Sequence, residues 1–592
     1  MEPSNNPKPI VAPDSWRRID TLTAILLFTV TALVVIWQNL RLGVLWDLSY
    51  ILENAHRISL GDVPYKDFPF PYAPITFLIQ AAIIKLTGHA FFHHVIYAAL
   101  AGGAGTVIAW RILLHLLRGT VTRHRLIAFL LSAPLTVLGI YCVYPHPFYD
   151  PDCTLVILCG ILLLRRWEVR GASAFGGFCC GMALLVPLFV KQNTGLSFLV
   201  SVALGLAVLT AMNLCRGKSI AGLLWISVGI AAALSAALLL IHYFAGLGNY
   251  WHWTIQYASE RRTPDIEDML DPFLNYALVA WVGAAIAGIG LTFAITRRIS
   301  ARSPTGGSPK LSVFDRIAAI VSVVFICAPF IFSVVYLFLD DDPSSRAERL
   351  LALWPFVLIV SLAIGFLRIR HRRGLSLMLP FILAGTILGA FLSQQLWGST
   401  YAIWPLLMIL IAMLIADLAT FAQGISWLAP ALASVIAISL LMAGGFYVWS
   451  RERLAYANVW DGAITRSTLP ALKGLSMRGP WIPEFEELVR YSETEIPKDD
   501  GLLMVPGEDL FYYTTGRHPR FPVLMFDHTV NPFSPEQVLA LSRSENIQWL
   551  VVKRNLQMQG TPYVDEAALL RLLLTDFQPV KHLANYDVYK RK

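Results

Sequence analysis

The sequence predicts a polytopic α-helical membrane protein with about thirteen transmembrane helices and a small C-terminal α/β domain. Three observations carry that expectation. Of 592 residues, 56% are hydrophobic and 15% charged, where soluble domains average about 25% charged. Apolar runs of helical length recur between residues 21 and 449. From residue 450 onward, short apolar strands alternate with helical stretches instead.

The first run, residues 21–37, is too long and apolar for the core of a signal peptide. It is followed by Gln38-Asn39-Leu40-Arg41 and no small-residue cleavage site, so it reads as a retained helix. Further runs follow at 91–117, 126–144, 152–164, 173–190, 195–214, 219–244, 273–296, 313–339, 347–367, 375–391, 401–418 and 428–449. The segment 73–88, APITFLIQAAIIKLTG, is short and interrupted by Gln80 and Lys85. It reads as a helix lying in the membrane interface.

Charge placement supports leaving 73–88 out of the crossings. With Arg17 and Arg18 keeping the N-terminus cytoplasmic, the inner loops hold 18 Arg and Lys and the outer loops 9. A crossing at 73–88 would reverse every later loop. Thirteen crossings place residues 450–592 outside the cytoplasm, in a bacterial inner membrane. The division is then a transmembrane domain, 1–449, with a first outer loop at 39–90, and an extracytoplasmic α/β domain, 450–592. The net charge of +8 belongs to retained loops and does not indicate nucleic acid. Seven cysteines, at 142, 153, 159, 179, 180, 215 and 327, fall in or beside apolar runs, with neither metal-ligand spacing nor a disulfide framework.

Residues 299–312 form a Ser/Gly/Pro linker. In the tail, Ser534-Pro535-Glu536 marks a helix start, and the strand and helix order predicts βαβ units. No Gly-rich phosphate fingerprint opens a helix there.

Three polar features meet the outer face under this topology. The first outer loop carries Asp47 within RLGVLWDLSYILENAHRISLGDVPYKDFPFPYAP, residues 41–74. YPHPFYDPD, residues 144–152, places Asp150 and Asp152 at the start of the fourth helix. Lys191 stands at the outer end of the fifth. Each has a plainer role open to it. Asp152 can cap its helix, Lys191 can snorkel to the interface, and Asp47 can cap a short interfacial helix. Asp340, Asp341 and Asp342 could hold a divalent cation, although a solvated turn accounts for them, and no cofactor is otherwise indicated. His146, His242 and His252 are scattered.

Taken together, two carboxylates and a cation on one membrane face suit glycosyl transfer from a lipid-linked sugar. A carboxylate takes the proton of the attacking hydroxyl, and a cation stabilises the departing lipid phosphate. Lys191, Arg57, Lys66 and Arg349 are candidate phosphate ligands, with Arg261, Arg262 and Arg346 as further basic residues on that face.

These residues resemble the GT-C glycosyltransferase superfamily, and within it the branch of protein O-mannosyltransferases and the aminoarabinose transferase of lipid A. The resemblance lies in Trp46-Asp47 after the first helix, the run Gly61-Asp62-Val63-Pro64-Tyr65-Lys66-Asp67, the segment from Pro74, Asp152, and Lys191. It implies a polyprenyl-phosphate sugar donor, inversion at the anomeric carbon and Asp47 as general base, with Asp152 fitting the family position better than Asp150. The acceptor would be a lipid, glycan or protein. Members often follow the catalytic Asp with Glu; Leu48 stands here, which leaves no adjacent carboxylate to share a metal.

Two other functions fit the same membrane setting. A lipid-linked glycan ligase or polymerase would need a large late outer loop, and the segments 340–346 and 392–400 are short. A lipid or sugar transporter would need midplane ionisable groups and an internal repeat; Asp417 lies near the cytoplasmic end of its run, and no repeat of fixed period is present.

Overall fold

The computed structural model describes residues 16–262, 266–302, 311–369, 372, 374–392, 402–422, 425–527, 530–559 and 566–592. Most of the linker 299–312 and of the loop 392–400 lies outside them. The chain is a polytopic helical membrane protein with small β-sheets near its C-terminus. Among the described residues, eight helices are long and apolar enough to cross a membrane, or nine if one bent pair counts as a single span. Each of the thirteen predicted runs coincides with a helix or a helix pair, although several are shorter than a full span or carry charges.

The first ten helices are α1 (Arg18–Asn39), α2 (Leu45–Leu60), α3 (Ile75–Thr87), α4 (Phe91–Leu117), α5 (His124–Ser132), α6 (Leu135–Leu138), α7 (Tyr149–Val169), α8 (Ala174–Leu185), α9 (Gln192–Cys215) and α10 (Ala221–Phe244). The run 126–144 is broken: Pro134 separates α5 from α6, and 139–148 is irregular. Pro329 has a similar effect in the run 313–339, which bends by 70° between Val313–Ile326 and Ala328–Leu339. The first residues of the predicted linker are helical, because the helix beginning at Tyr276 continues to Arg302.

Bundle packing depends on small residues at crossings. A Cβ on Gly181 of α8 would meet the Ile226 carbonyl of α10 at 2.1 Å, and one on Gly229 would meet the Phe178 carbonyl at 2.2 Å. Only glycine permits the two backbones to approach so closely. Asp417 is ion-paired with Arg372 and with Arg368 at 3.5 Å, so it is a structural carboxylate and not an open transport site.

The C-terminal region holds a two-stranded antiparallel sheet, β1 (Ile464–Arg466) with β2 (Ser476–Arg478), and a four-stranded sheet of order β3-β4-β6-β5. β3 (Gly501–Val505) runs parallel to β4 (Ile547–Lys553), so the connection between them, which includes the helix Pro535–Ser544, forms one βαβ unit. β6 (Tyr586–Arg591) is antiparallel to both β4 and β5 (Phe577–His582), so the expected series of βαβ units reduces to that one. Ser534 caps its helix as expected, accepting from the Gln537 N–H, and Pro535 sits in the first turn.

The first outer loop is not a loose interfacial connector. Its helix α2 is a core element. Leu45, Trp46, Leu48, Ile51 and Leu52 share one apolar cluster with Trp481, Phe485, Phe511, Tyr513, Trp549 and Val588 of the C-terminal region. Polar bonds fix the same contact. Ser49 Oγ donates to the Gly507 carbonyl at 2.8 Å. The buried Glu53 carboxylate accepts the Tyr513 N–H at 3.2 Å. Helix α3, the excluded segment 73–88, is only 13 residues long and packs on α2.

Lys85 is exposed on α3. Under the predicted topology, a Lys85→Cys variant in intact cells reacts with a membrane-impermeant maleimide added from outside. Labelling only after the membrane is opened would put α3 on the cytoplasmic side and remove the thirteen-crossing arrangement.

Candidate active site

Asp47 lies in the first turn of α2, and Val44 occupies the N-cap position, so Asp47 does not cap the helix. From Leu45 to Arg57 every residue is buried except Asp47, which is partly exposed. A helix packed on nearly all sides thus leaves one carboxylate open. Tyr456 donates its hydroxyl to Asp47 Oδ2 at 2.7 Å. The Tyr144 hydroxyl also favours the ionised form of this carboxylate, and the charge of Asp150 acts against it. Burial pushes the Asp47 carboxyl up to about 6. The two tyrosine hydroxyls oppose that rise, and the neighbouring Asp150 adds to it.

Asp150 and Lys191 form a buried ion pair beside this carboxylate, their side chains 6% and 7% exposed. The Lys191 ammonium also lies 5.5 Å from the centre of the Tyr149 ring. Lys191 is therefore not a snorkelling residue; it is drawn inward at the start of α9. Asp150 comes from the first turn of α7, so two helix starts meet at the pair.

Asp152 has different surroundings. It does not cap α7, which begins at Tyr149 after Phe148. Its Oδ1 accepts from Tyr97 at 2.7 Å and from Tyr141 at 2.6 Å, and its Oδ2 accepts from Thr76 at 2.8 Å. These three hydroxyls tie α3, α4 and the segment before α7 together, so Asp152 acts as a structural knot at the edge of the site.

The basic residues separate in the same way. Arg57 lies ten residues beyond Asp47, about 15 Å along the helix. It is bonded to Asp62 at 2.5 Å and to the Phe521 and Pro522 carbonyls, latching the outer loop to the C-terminal region. Lys66 is exposed in the turn after α2. Arg349 lies over the Tyr336 ring at 4.6 Å, and its Nε is buried with no hydrogen-bond partner among the described residues. Its helix, Pro343–Leu351, packs against Glu452–Leu454, just before Tyr456. Asp342 caps that helix, accepting from the Ser344 and Ser345 N–H groups, so the acidic run 340–342 forms a solvated turn. The side chains of Arg261 and Arg262 lie outside the described set.

Tyr50 stands one turn beyond Asp47. Its buried hydroxyl has no partner among the described residues, and its ring is 6.3 Å from Tyr149. A buried donor of this kind is ordinarily satisfied, so Tyr50 offers a free bond to a bound molecule. Among the described residues, no group of three His, Cys, Asp or Glu side chains is placed to hold a metal ion. Elsewhere in the bundle, a small apolar cavity of about 50 Å³ is lined by Ile289, Phe330, Phe356, Ile411 and Ile436.

Sequence reading did not single out Tyr456 or Tyr50. Tyr456 lies 409 positions from Asp47, and no local pattern links the two. Tyr144 stood in the motif read for its aspartates, where its aromatic character hid its role as a donor.

No protein-family model matches the chain, and no curated protein matches it. Solved structures do. ArnT from Cupriavidus metallidurans in the apo state is 14% identical over 96% of this chain and 98% of its own, with a TM-score of 0.45. ArnT from the same organism bound to undecaprenyl phosphate is 13% identical over 95% and 97%, with a TM-score of 0.45. The oligosaccharyltransferase of Archaeoglobus fulgidus, in complex with Zn and sulfate, is 11% identical over 89% of this chain and 68% of its own, with a TM-score of 0.43. Likeness at these identities and TM-scores assigns no residue a role.

The buried pair gives a direct test. Lys191→Met strands a buried carboxylate and lowers unfolding free energy by about 3–5 kcal/mol. Asp150→Asn combined with Lys191→Met recovers most of that loss, read as a double-mutant cycle of unfolding in detergent.

Proposed function

We propose that the chain is a membrane glycosyltransferase that moves a sugar from a polyprenyl-phosphate donor to an acceptor hydroxyl at the extracytoplasmic face. The observation that carries this reading is Asp47: the one residue of α2 between Leu45 and Arg57 that is not buried, with its pKa raised to about 6. A carboxylate tuned toward neutrality serves as a general base at physiological pH.

The reaction is a single displacement. Asp47 takes the proton of the acceptor hydroxyl as that oxygen attacks the anomeric carbon. The bond from that carbon to the phosphate oxygen breaks on the opposite face, so configuration inverts and polyprenyl phosphate departs. Tyr456 fixes the orientation of the base. Negative charge grows on the leaving phosphate, and cations stabilise it. Lys191 is nearest to the carboxylates, and Arg349 has an open N–H. Tyr50 supplies a further donor to sugar or phosphate. Arg57 and Lys66 hold or flank the outer loop and are assigned to it, while Asp152 shapes the site from its edge. This topology sets the N-terminus in the cytoplasm, and residues 450–592 form the outer cover of the site.

Transfer from a panel of polyprenyl-phosphate hexoses and pentoses, with purified protein in detergent, tests the proposal. Asp47→Asn is expected to lower turnover by about 10²–10⁴-fold, the usual contribution of a general base. Turnover near that of the wild type would exclude Asp47 as the base. The same substitution removes a charge whose burial is unfavourable. That cost is absent below the unfolded value of 3.8 and complete above about 6, so near neutral pH the variant's Tm stays at or above the wild-type value.

The pH profile follows from the same group. Turnover by the wild type falls about tenfold per pH unit below a midpoint near 6, because protonated Asp47 cannot accept a proton. A profile flat down to pH 4.5 would assign the base elsewhere.

A further inference from the structure

Helix α2 carries the reactive carboxylate in its first turn, yet its own sequence provides no side-chain cap there. Val44 holds the N-cap position without an oxygen to offer. The first N–H groups of any helix lack intrahelical acceptors and need them from elsewhere. The Leu45 N–H donates instead to Oε1 of Gln557 at 2.7 Å, across 512 positions of sequence. The Nε2 of the same side chain donates to the Gly43 carbonyl at 2.8 Å. One amide therefore satisfies both the entry strand and the first turn of α2.

Gln557 is itself rigidly held and fully buried. Its N–H and that of Met558 donate to the Glu508 carboxylate at 3.1 and 2.8 Å. Glu508 is paired with the buried Lys553 at 2.6 Å, and Lys553 also binds Asp509 at 2.9 Å. The Tyr586 hydroxyl completes the cluster by donating to Asp509 at 3.0 Å.

The same short segment reaches Tyr456. The Asn458 N–H donates to the Gln557 carbonyl at 2.7 Å, and the Gln559 N–H donates to the Tyr456 carbonyl at 2.8 Å, around an antiparallel bridge between Ala457 and Met558. Residues 557–559 thus set the backbone of the tyrosine that bonds Asp47 and the start of the helix that bears it.

We infer that Gln557 is a positioning residue for Asp47, capping α2 from the C-terminal region so that the carboxylate and Tyr456 stay in register. The inference deepens the proposed transfer reading, but the cap can be measured without any substrate. Asp47 is faced by Tyr456 from the segment after the last bundle helix, by Tyr144 from the segment before α7, and by Asp150 from α7. A frayed first turn would release Asp47 from these groups toward solvent, and its titration would move down from about 6 toward 3.8.

Hydrogen exchange on the full-length protein in detergent tests the cap. In Gln557→Met, amides 45–48 are expected to exchange about five-fold faster, the effect of losing one helix cap. Strand amides 547–553 keep their protection. Gln557→Glu keeps an oxygen acceptor at Leu45 and restores the first turn. In infrared difference spectra, the carboxyl band that disappears in Asp47→Asn titrates near pH 6 in the wild type and lower in Gln557→Met. Should Gln557→Met not accumulate, the wild type decides: amides 45–48 and 555–558 open together. Unchanged exchange at 45–48, loss of protection shared equally by 547–553, an unshifted carboxyl band, or independent opening of the two segments in the wild type would overturn the inference. None of these readings depends on transfer, so the cap can fail while the transferase reading stands, and the reverse.

Discussion

The structure depends on keeping one carboxylate charged in a place where burial opposes charge. Asp47 is the one residue from Leu45 to Arg57 that is not buried. Its environment is balanced: apolar packing and Asp150 favour the protonated acid, and two tyrosine hydroxyls favour the anion. Neither influence alone holds the group near 6. In water the carboxyl would titrate lower, and in an apolar core without donors it would stay protonated.

That balance explains why α2 is packed so heavily. A surface helix could move its carboxylate by an ångström or more with little penalty. Here Trp46, Leu48 and Ile51 are fixed in a cluster with Trp481, Phe511 and Trp549, so Asp47 inherits the rigidity of a domain core. The buried bonds of Arg57, Ser49 and Glu53 act in the same direction. Asp152 does so from the other side, using three hydroxyls to hold α3, α4 and α7 around the site.

Much of this was legible in the sequence, and for physical reasons. Long apolar runs can only be helices in lipid, because every backbone group must be bonded within the segment; the thirteen runs therefore found thirteen helices or helix pairs. The breaks at Pro134 and Pro329 were not read, because the hydropathy pattern runs through both prolines. Asp47, Asp150 and Lys191 stood out because the predicted topology brings them to one membrane face. Their pairing was not legible, since it depends on how α2, α7 and α9 converge in space. Asp152 looked equivalent to Asp150, and only the positions of Tyr97, Tyr141 and Thr76 separate them. Arg57 and Lys191 looked alike as cations, although one is a latch and the other lies at the site. Tyr456 and Gln557 were beyond reach for the same reason: their partners lie more than 400 positions away.

That separation along the chain has a consequence for biogenesis. Asp47 leaves the ribosome well before Tyr456, and Tyr456 before Gln557. A chain still being threaded into the membrane holds Asp47 without the Tyr456 hydroxyl that bonds it. On the proposed transferase reading, activity therefore waits for the C-terminal region to join the bundle, and a nascent bundle is inert toward the lipids that surround it.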